Sequence, residues 1–321
     1  MEAGAAGLDA QEKAAATLLG LLGAEGYDFV PVTPETHRRV VARPAMAKAK
    51  DLRGVFGWSL PFDRELLDEA MLAALEEAAL LERAGAGWKS RIRVSRVAGH
   101  LFIHSAFPTE SDDSVFLGPD TVRFCDFIES EIGMDVRRIV DIGAGAGVGG
   151  IVAGSRAPGA RVELADINPV ALSYARANAA HCGVAVTTLE SDGVAALEPG
   201  FDLAIANPPF IFEEDAPAYR DGGGMHGAQL SLEWALGAAE MLAPGGRVLL
   251  YTGSAIVEGR DALRQALSDR LGPLGCTLRW RELDPDIFGE ELEKPAYDEV
   301  ERIAAIGAVI EKKGQNERSS G

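Results

Sequence analysis

Asn207-Pro208-Pro209-Phe210 follows the apolar run FDLAIA without a break. Two consecutive prolines neither extend a strand nor propagate a helix, because each fixes φ and removes a backbone N–H. The stretch therefore predicts a rigid turn at the end of a strand, with Asn207 at its mouth. The Asn207 side-chain carbonyl and the backbone carbonyl of the Asn207–Pro208 linkage are both hydrogen-bond acceptors. Two acceptors held together suit an NH2 group whose lone pair is delocalised into a carbonyl or a ring. Gripping both of its N–H bonds favours a nitrogen turning tetrahedral, with the lone pair freed for attack. Pro208 and Pro209 make the frame rigid, and Phe210 is expected to stack on a planar substrate.

Three other stretches carry chemistry at strand ends. In DIGAGAGVGG, Gly143, Gly145 and Gly147 recur at every second position between a strand and a helix. Glycines there permit a tight turn and close approach of a ligand to the backbone. The spacing is not GxGxxG, no Walker lysine follows, and Asp141 suits a ligand with a cationic portion better than a pyrophosphate. Asp166, in ADINP, ends the next strand, 25 residues after Asp141. An acid at that place can accept both hydroxyls of a ribose, and it can equally cap the helix that Pro169 opens. Asn168, beside it, counts among the candidate cofactor contacts. Asp192, in ESDG, ends a third strand; with Gly193 it can meet an adenine amino group and ring edge, although an Asp-Gly turn alone also explains it. In open α/β folds, ligands bind beyond the carboxyl ends of the strands. Four polar markers at four successive strand ends thus point to one crevice.

Those ends have to be positioned by a sheet. From about residue 119 the chain alternates helix and strand, with RRIVDIG, ARVELADI, VAVTTLESD, FDLAIA and GGRVLLYTG as buried strands. Repeated βα units imply a mainly parallel sheet covered by helices on both faces. CTLRWREL and ERIAAIGAVIEKK add two strands, expected as an antiparallel edge pair joined by a Pro- and acid-rich loop; its acidic run GEELE reads as solvated. The expected α/β domain covers residues 111–313, and residues 314–321 read as a disordered tail. Residues 1–110 read as a smaller helical domain with a hairpin, serving substrate recognition. Helices are expected over 9–24 and over 63–84, the second with Asp63 as N-cap and Gly85 as its stop. The hairpin pairs RIRVSRV with HLFIHSAF.

Composition narrows the function classes. Of 321 residues, 47% are hydrophobic and 25% charged, as in an ordinary soluble protein. No apolar run approaches the length of a membrane span, and MEAGAAGLDAQEK lacks the marks of a secretory signal. Three scattered cysteines make neither a disulfide framework nor a zinc pattern, so a cytoplasmic setting is expected. His100 and His104 share a strand face without an evident third ligand, so no metal is expected. The net charge of −18 divides into −2 over residues 1–110 and −16 over the rest. That balance disfavours a nucleic-acid partner, although Arg38, Arg39, Arg43, Lys48, Lys50 and Arg53 form a basic cluster.

Residues 137–252 resemble a class I S-adenosylmethionine-dependent methyltransferase. DIGAGAG matches its glycine loop, Asp166 its ribose-binding acid, ESD its adenine contact, and NPPF the (D/N/S)PP(Y/F) motif of enzymes that methylate planar nitrogens. Within that group the chain most resembles the release-factor glutamine N5-methyltransferase branch, through its N-terminal helices and hairpin, the step Pro119-Asp120-Thr121, and the segment GGGMHGAQL. It departs from that branch in lacking an arginine before the Pro-Asp-Thr step and in placing His226 where an acid is expected. The resemblance implies a Rossmann-like, seven-stranded, mostly parallel sheet. It implies S-adenosyl-L-methionine as cofactor, held by Asp141, Gly143, Gly145, Gly147, Asp166, Asn168, Asp192, Gly193, Asn207 and Thr121. It also implies N-methylation of a planar amide or amino nitrogen through Asn207, Pro208, Pro209 and Phe210, with a protein glutamine as acceptor. A small-molecule acceptor of specialised metabolism and the exocyclic amine of an RNA or DNA base stand as alternatives. A non-catalytic module of the same fold is a third reading. No membrane partner is expected, and the oligomeric state stays open.

Overall fold

The computed structural model describes residues 7–109, 111–133, 135–212 and 222–314. The chain opens with helices α1 (Ala10–Ala24), α2 (Pro34–Val41), α3 (Leu52–Phe56) and α4 (Glu69–Glu77), followed by strands β1 (Leu81–Ala84), β2 (Gly87–Ser90), β3 (Ile92–Val97) and β4 (His100–Ser105). It continues with α5 (Pro119–Glu131), β5 (Arg138–Ile142), α6 (Val148–Arg156), β6 (Arg161–Asp166), α7 (Pro169–Cys182), β7 (Val186–Glu190) and β8 (Phe201–Ala206). The last part runs α8 (Gln229–Met241), β9 (Leu242–Val257), β10 (Arg260–Asp261), α9 (Ala262–Leu271), β11 (Cys276–Asp284) and β12 (Arg302–Lys312). Two compact units result: residues 1–126 with 145–155 and 168–188, and residues 127–144 with 156–167 and 189–321.

In the first unit, α1 begins where the sequence places it. Asp9 and Glu12 close a reciprocal capping box, each carboxylate accepting from the other's backbone N–H. Its Leu18, Leu19 and Leu22 are fully buried in a core shared with Phe56, Phe62, Leu75 and Ile92. The single helix expected over 63–84 is a correction. Arg64–Leu66 forms one 3-10 turn, Asp68 rather than Asp63 caps α4, and the chain leaves the helix at Ala79, whose φ is +55°. Leu81–Ser90 then folds as a hairpin in which Gly85 belongs to the two-residue turn between Ala84 and Gly87. Tertiary pairing overrides the helix propensity of the Ala- and Glu-rich run, and an isolated bridge between Phe62 and Trp88 ties the hairpin down. The β3–β4 hairpin appears as expected, with its two turn residues Ala98 and Gly99 at φ +47° and +85°, the combination that a tight right-twisted hairpin favours.

The second unit carries the sheet order β11–β12–β9–β8–β5–β6, with β10 hung on β9. β5 pairs in parallel with β6 and β8, and β8 with β9, while β12 runs antiparallel to both of its neighbours. This is the expected mostly parallel α/β sheet, and β11 and β12 are the expected antiparallel pair at one edge. Its core sets Val140, Ile142, Ala204, Val248 and Leu250 of the strands against Leu232 and Ala235 of α8 and Leu263 and Leu267 of α9. The GEELE run forms a 3-10 turn, half-buried at Glu291 and Leu292 rather than wholly solvated. Of the expected tail, all but Gly314 lies outside the described residues.

Candidate active site

Backbone hydrogen bonds draw three strand tips of the second unit together. The N–H groups of Gly143 and Ala144 both donate to the Ala165 carbonyl, at 2.8 and 2.9 Å, so the turn leaving β5 is tied to the end of β6. The N–H of Ser191 donates to the Asp166 carbonyl at 3.1 Å, tying the segment after β7 to the same place. Ile142 of β5 pairs with Ala206 of β8, so Asn207 emerges beside the glycine turn. Gly143, Asp166, Asp192 and Asn207 therefore stand at adjoining strand ends. This follows from parallel pairing, which places successive carboxyl termini on one edge.

The surroundings of these side chains sort their roles. Asp141 is buried within β5. Asp166 is half-buried, and the N-cap of α7 is Asn168, whose Oδ1 accepts from the Val170 and Ala171 N–H groups. Asn168 also donates to the Asp113 carbonyl at 2.9 Å. Its amide is thus bonded within the protein through both its oxygen and its nitrogen. Asp192 is exposed, and Gly193, buried, takes φ +52° in the turn that follows. In the first unit, Gly145 and Gly147 continue the glycine turn with positive φ, and Thr121 accepts from the Gly118 N–H at the start of α5.

Phe210 lies against Gly253 of β9, so closely that a Cβ added at Gly253 would sit 2.3 Å from the ring. Only 9% of the residue is exposed. The ring therefore packs as part of the turn, rather than presenting the open stacking surface expected of it. Pro208 is buried, while Asn207 and Pro209 are half-buried.

Sequence reading passed over three residues. Trp234 of α8 lies across both Gly143 and Gly193: an added Cβ would come within 2.6 Å of its six-membered ring at the first and 2.4 Å of Nε1 at the second. Ile167, next to Asp166, is 51% exposed and gives the strand tip an apolar surface. In the first unit, the Asn178 side chain is fully buried and fully bonded. Its Oδ1 accepts from the Ile103 N–H at 2.8 Å, and its Nδ2 donates to the carbonyls of Ile103 and of Ala146 in the glycine turn, at 3.1 and 2.9 Å. The only signal for Asn178 was a polar residue on the buried face of an alanine-rich helix.

A parallel sheet with polar side chains and a glycine turn gathered at its carboxyl edge defines a nucleotide-binding α/β protein. The finer class comes from comparison: residues 125–269 match the methyltransferase small domain. Over that stretch the chain resembles methyltransferases. It is 37% identical to the ribosomal RNA small subunit methyltransferase C of Hahella chejuensis, over 36% of this chain and 30% of that one. It is 29% identical to the release factor glutamine methyltransferase of Moorella thermoacetica, over 77% of this chain and 96% of that one. Relatives at 30% identity or more are spanned over only about a third to about half of their own length. A solved structure from Pyrococcus horikoshii described as a transferase shares the fold, with a TM-score of 0.50 at 10% identity, over 88% of this chain and 100% of that one.

The residues present fit S-adenosyl-L-methionine. Asp166 is a half-buried acid and Asp192 an exposed acceptor at adjoining strand ends, and the glycine turn brings backbone beside them at Gly143. No helix among the described residues is long and apolar enough to cross a membrane.

Proposed function

We propose that the protein is an S-adenosylmethionine-dependent N-methyltransferase acting on a planar amide or amino nitrogen, and that the acceptor is a protein glutamine side chain. The observation that carries this reading is the Asn-Pro-Pro-Phe turn at the carboxyl end of β8, beside the glycine turn of β5. Asp166 would hold the ribose hydroxyls, Asp192 and the Gly193 backbone the adenine edge, and the turn from Gly143 to Gly147 the remainder of the cofactor. When bound, the cofactor supplies an electrophilic methyl group that needs no metal. The protein contributes alignment and electrostatic support. Asn207 Oδ1 and the Asn207 backbone carbonyl accept the two N–H bonds of the acceptor, turning its lone pair outward. Pro208 and Pro209 keep both carbonyls fixed, and Phe210, packed on Gly253, anchors the turn. The acceptor's proton leaves after the methyl is in place, so no base of unusual pKa is called for. The glutamine acceptor draws support from the Moorella relative, named for that substrate and matched over nearly its whole length.

A second reading rests on a different observation. Arg38, Arg39, Arg43, Lys48, Lys50 and Arg53 are all exposed, in a chain that is otherwise strongly acidic. A basic strip of that kind fits a phosphate backbone, and the Hahella relative is named for ribosomal RNA.

One experiment separates the two. Tritiated methyl donor is incubated with the protein and either a bacterial release factor or small-subunit ribosomal RNA. Label in the release factor, lost in Asn207→Ala while S-adenosylhomocysteine still binds, is the expected result. Label in the RNA alone, falling steeply with salt, would replace the glutamine reading by the nucleobase one. Undiminished turnover by Asn207→Ala would end both.

A further inference from the structure

The connection between β11 and β12 reaches the Asn-Pro-Pro-Phe turn, and its aromatic residues do more than cover the sheet. At its foot the connection is fixed to the strands: the Ile287 N–H donates to the Ile303 carbonyl at 2.8 Å, and Arg302 bonds the Glu282 carboxylate and the Pro285 carbonyl. Phe288 follows with φ +55°, a backbone region costly for an aromatic residue and kept only where the surroundings impose it. That conformation aims its ring edge-on at Phe210, with centroids 5.6 Å apart and planes at 68°. Farther along, Tyr297 is 1% exposed. Its hydroxyl accepts from the Phe212 N–H at 2.8 Å and donates to the His226 carbonyl at 3.4 Å. Its ring lies 6.0 Å from that of His226. The Gly222 N–H donates to the Ile211 carbonyl at 3.1 Å, so Tyr297 bonds to chain on both sides of that closure.

We propose that Tyr297 is a positioning residue for the Asn207–Phe210 turn, with Phe288 as its second support, so that the β11–β12 connection belongs to the acceptor end of the site. The proposal rests on the reading of Asn207 given above. A turn rigid at two prolines is still free to tilt as a body about its ends. Phe210 is pinned on one side by Gly253 of β9 and on the other by Phe288, and Tyr297 holds the backbone two residues farther on. The three contacts fix the direction in which the Asn207 carbonyls point. A misplacement of about 1 Å at such a position is enough to reduce turnover roughly 100-fold.

Tyr297→Phe removes the hydroxyl and keeps the ring. The expected result is a fall in kcat of roughly 10- to 100-fold, measured with tritiated methyl donor on the release factor or on whichever protein, RNA or small-molecule fraction of a lysate the wild type labels. S-adenosylhomocysteine affinity is expected to stay within about twofold by calorimetry, since that ligand is held at other strand ends. Exchange of the Phe212 amide hydrogen should accelerate at least about tenfold, because its acceptor is gone. Phe288→Gly relieves the backbone and removes the ring, and it carries the test if Tyr297→Phe fails to fold; the same loss of kcat with cofactor affinity kept is expected. Unchanged kcat, or a parallel loss of S-adenosylhomocysteine affinity, overturns the positioning role. Assayed alongside, Asn207→Ala with full activity overturns the reading of the turn itself. Its inactivity beside a fully active Tyr297→Phe overturns only the role of Tyr297.

Discussion

His37, Arg93 and His104 in the first unit are 1%, 3% and 0% exposed, whereas Asp166, Asp192 and Asn207 at the strand tips of the second are half-buried or exposed. Both groups are polar, and the difference lies in what the backbone leaves for them to do. In the first unit the polar atoms are closed inward: Arg93 Nε donates to the Ser105 carbonyl, and His104 Nε2 lies 2.9 Å from the Ser95 hydroxyl. At the strand tips the backbone groups bond among themselves, through Ala165 and Ser191, and the side chains of Asp166, Asp192 and Asn207 stay at least partly accessible. The polar residues of the first cluster are sealed from water, whereas those proposed to serve chemistry stay at least partly accessible beside strand ends tied through the backbone. Substitutions should therefore separate the two groups: one set moves binding and leaves stability, and the other does the reverse.

The largest binding effect is expected at Asp166. If Asp166 holds the ribose as proposed, replacing it by alanine removes two charge-assisted hydrogen bonds and should weaken S-adenosylhomocysteine binding about 100-fold, or about 3 kcal/mol. The melting temperature should move less than it does in Asn178→Ala, since Asp166 is half-buried and Asn178 fully buried. Calorimetric titration and a thermal melt check both halves, and retained affinity would mean that the ribose contact is misplaced. Asn178→Ala should show the opposite pattern. It leaves two Ile103 backbone groups and the Ala146 carbonyl without their partner. A loss of about 3 kcal/mol in urea unfolding is expected, with the glycine turn loosened as a secondary effect.

The strand tips were legible because their signals are local. A strand pattern that stops at Asp-Gly, Asp-Ile-Asn-Pro or Asn-Pro-Pro names its own end, and parallel βα order then puts those ends on one edge. The sheet was readable for the same reason. What escaped were contacts whose partners are far apart in the chain. Asn178 meets Ile103, and Tyr297 meets Phe212, across 75 and 85 residues. Nothing near Tyr297 in sequence marks it, since Pro-, Glu- and Lys-rich surroundings read as a surface loop. The hairpin at Leu81–Ser90 was missed because alanine and glutamate favour a helix locally, and only pairing with a partner strand reverses that preference.

The inward-closed cluster also predicts a response to pH. Burial, with Arg93 and then Lys89 nearby, depresses the pKa of His37 to about 4, and the Trp58 backbone lies close enough to offset this only in part. Burial depresses His104 well below the ordinary value, with Arg93 and His37 adding to the effect. Neither nitrogen of His37 makes a full hydrogen bond, and its ring is caged by Phe107 at 4.1 Å and Trp58 at 5.4 Å between centroids. Above pH 6.5 both histidines are neutral in folded and unfolded chains alike, so neither changes stability. As pH falls below that, the unfolded chain takes up protons that the folded one refuses. Stability then drops by about 1.4 kcal/mol per pH unit for each histidine, down to about pH 4 for His37. Urea unfolding between pH 7 and 4 reads the slope, and His37→Phe should remove its share of it. An unchanged slope in that variant would place the acid sensitivity elsewhere.

The smallest effect sharpens the contrast within the first unit itself. Glu12 of α1 is buried and its carboxylate meets the Arg176 guanidinium of α7, Nε lying at 2.7 Å, while another guanidinium nitrogen donates to Thr188 at 3.0 Å. Glu35 forms bonds of the same kind with Arg38 and Arg39, but on an exposed turn of α2. Exposed pairs gain little, because water and salt screen them and two long side chains must be held still. Glu12→Gln keeps the capping box, since a glutamine at the same position can still accept from the Asp9 N–H. It removes only the charge facing Arg176, and a loss of about 1 kcal/mol is expected. Glu35→Gln should leave the melting temperature where it was. Burial, rather than the number of charged contacts, is the variable that sets the two apart. Equal shifts in the two variants would show that α1 is held to α7 by apolar packing alone.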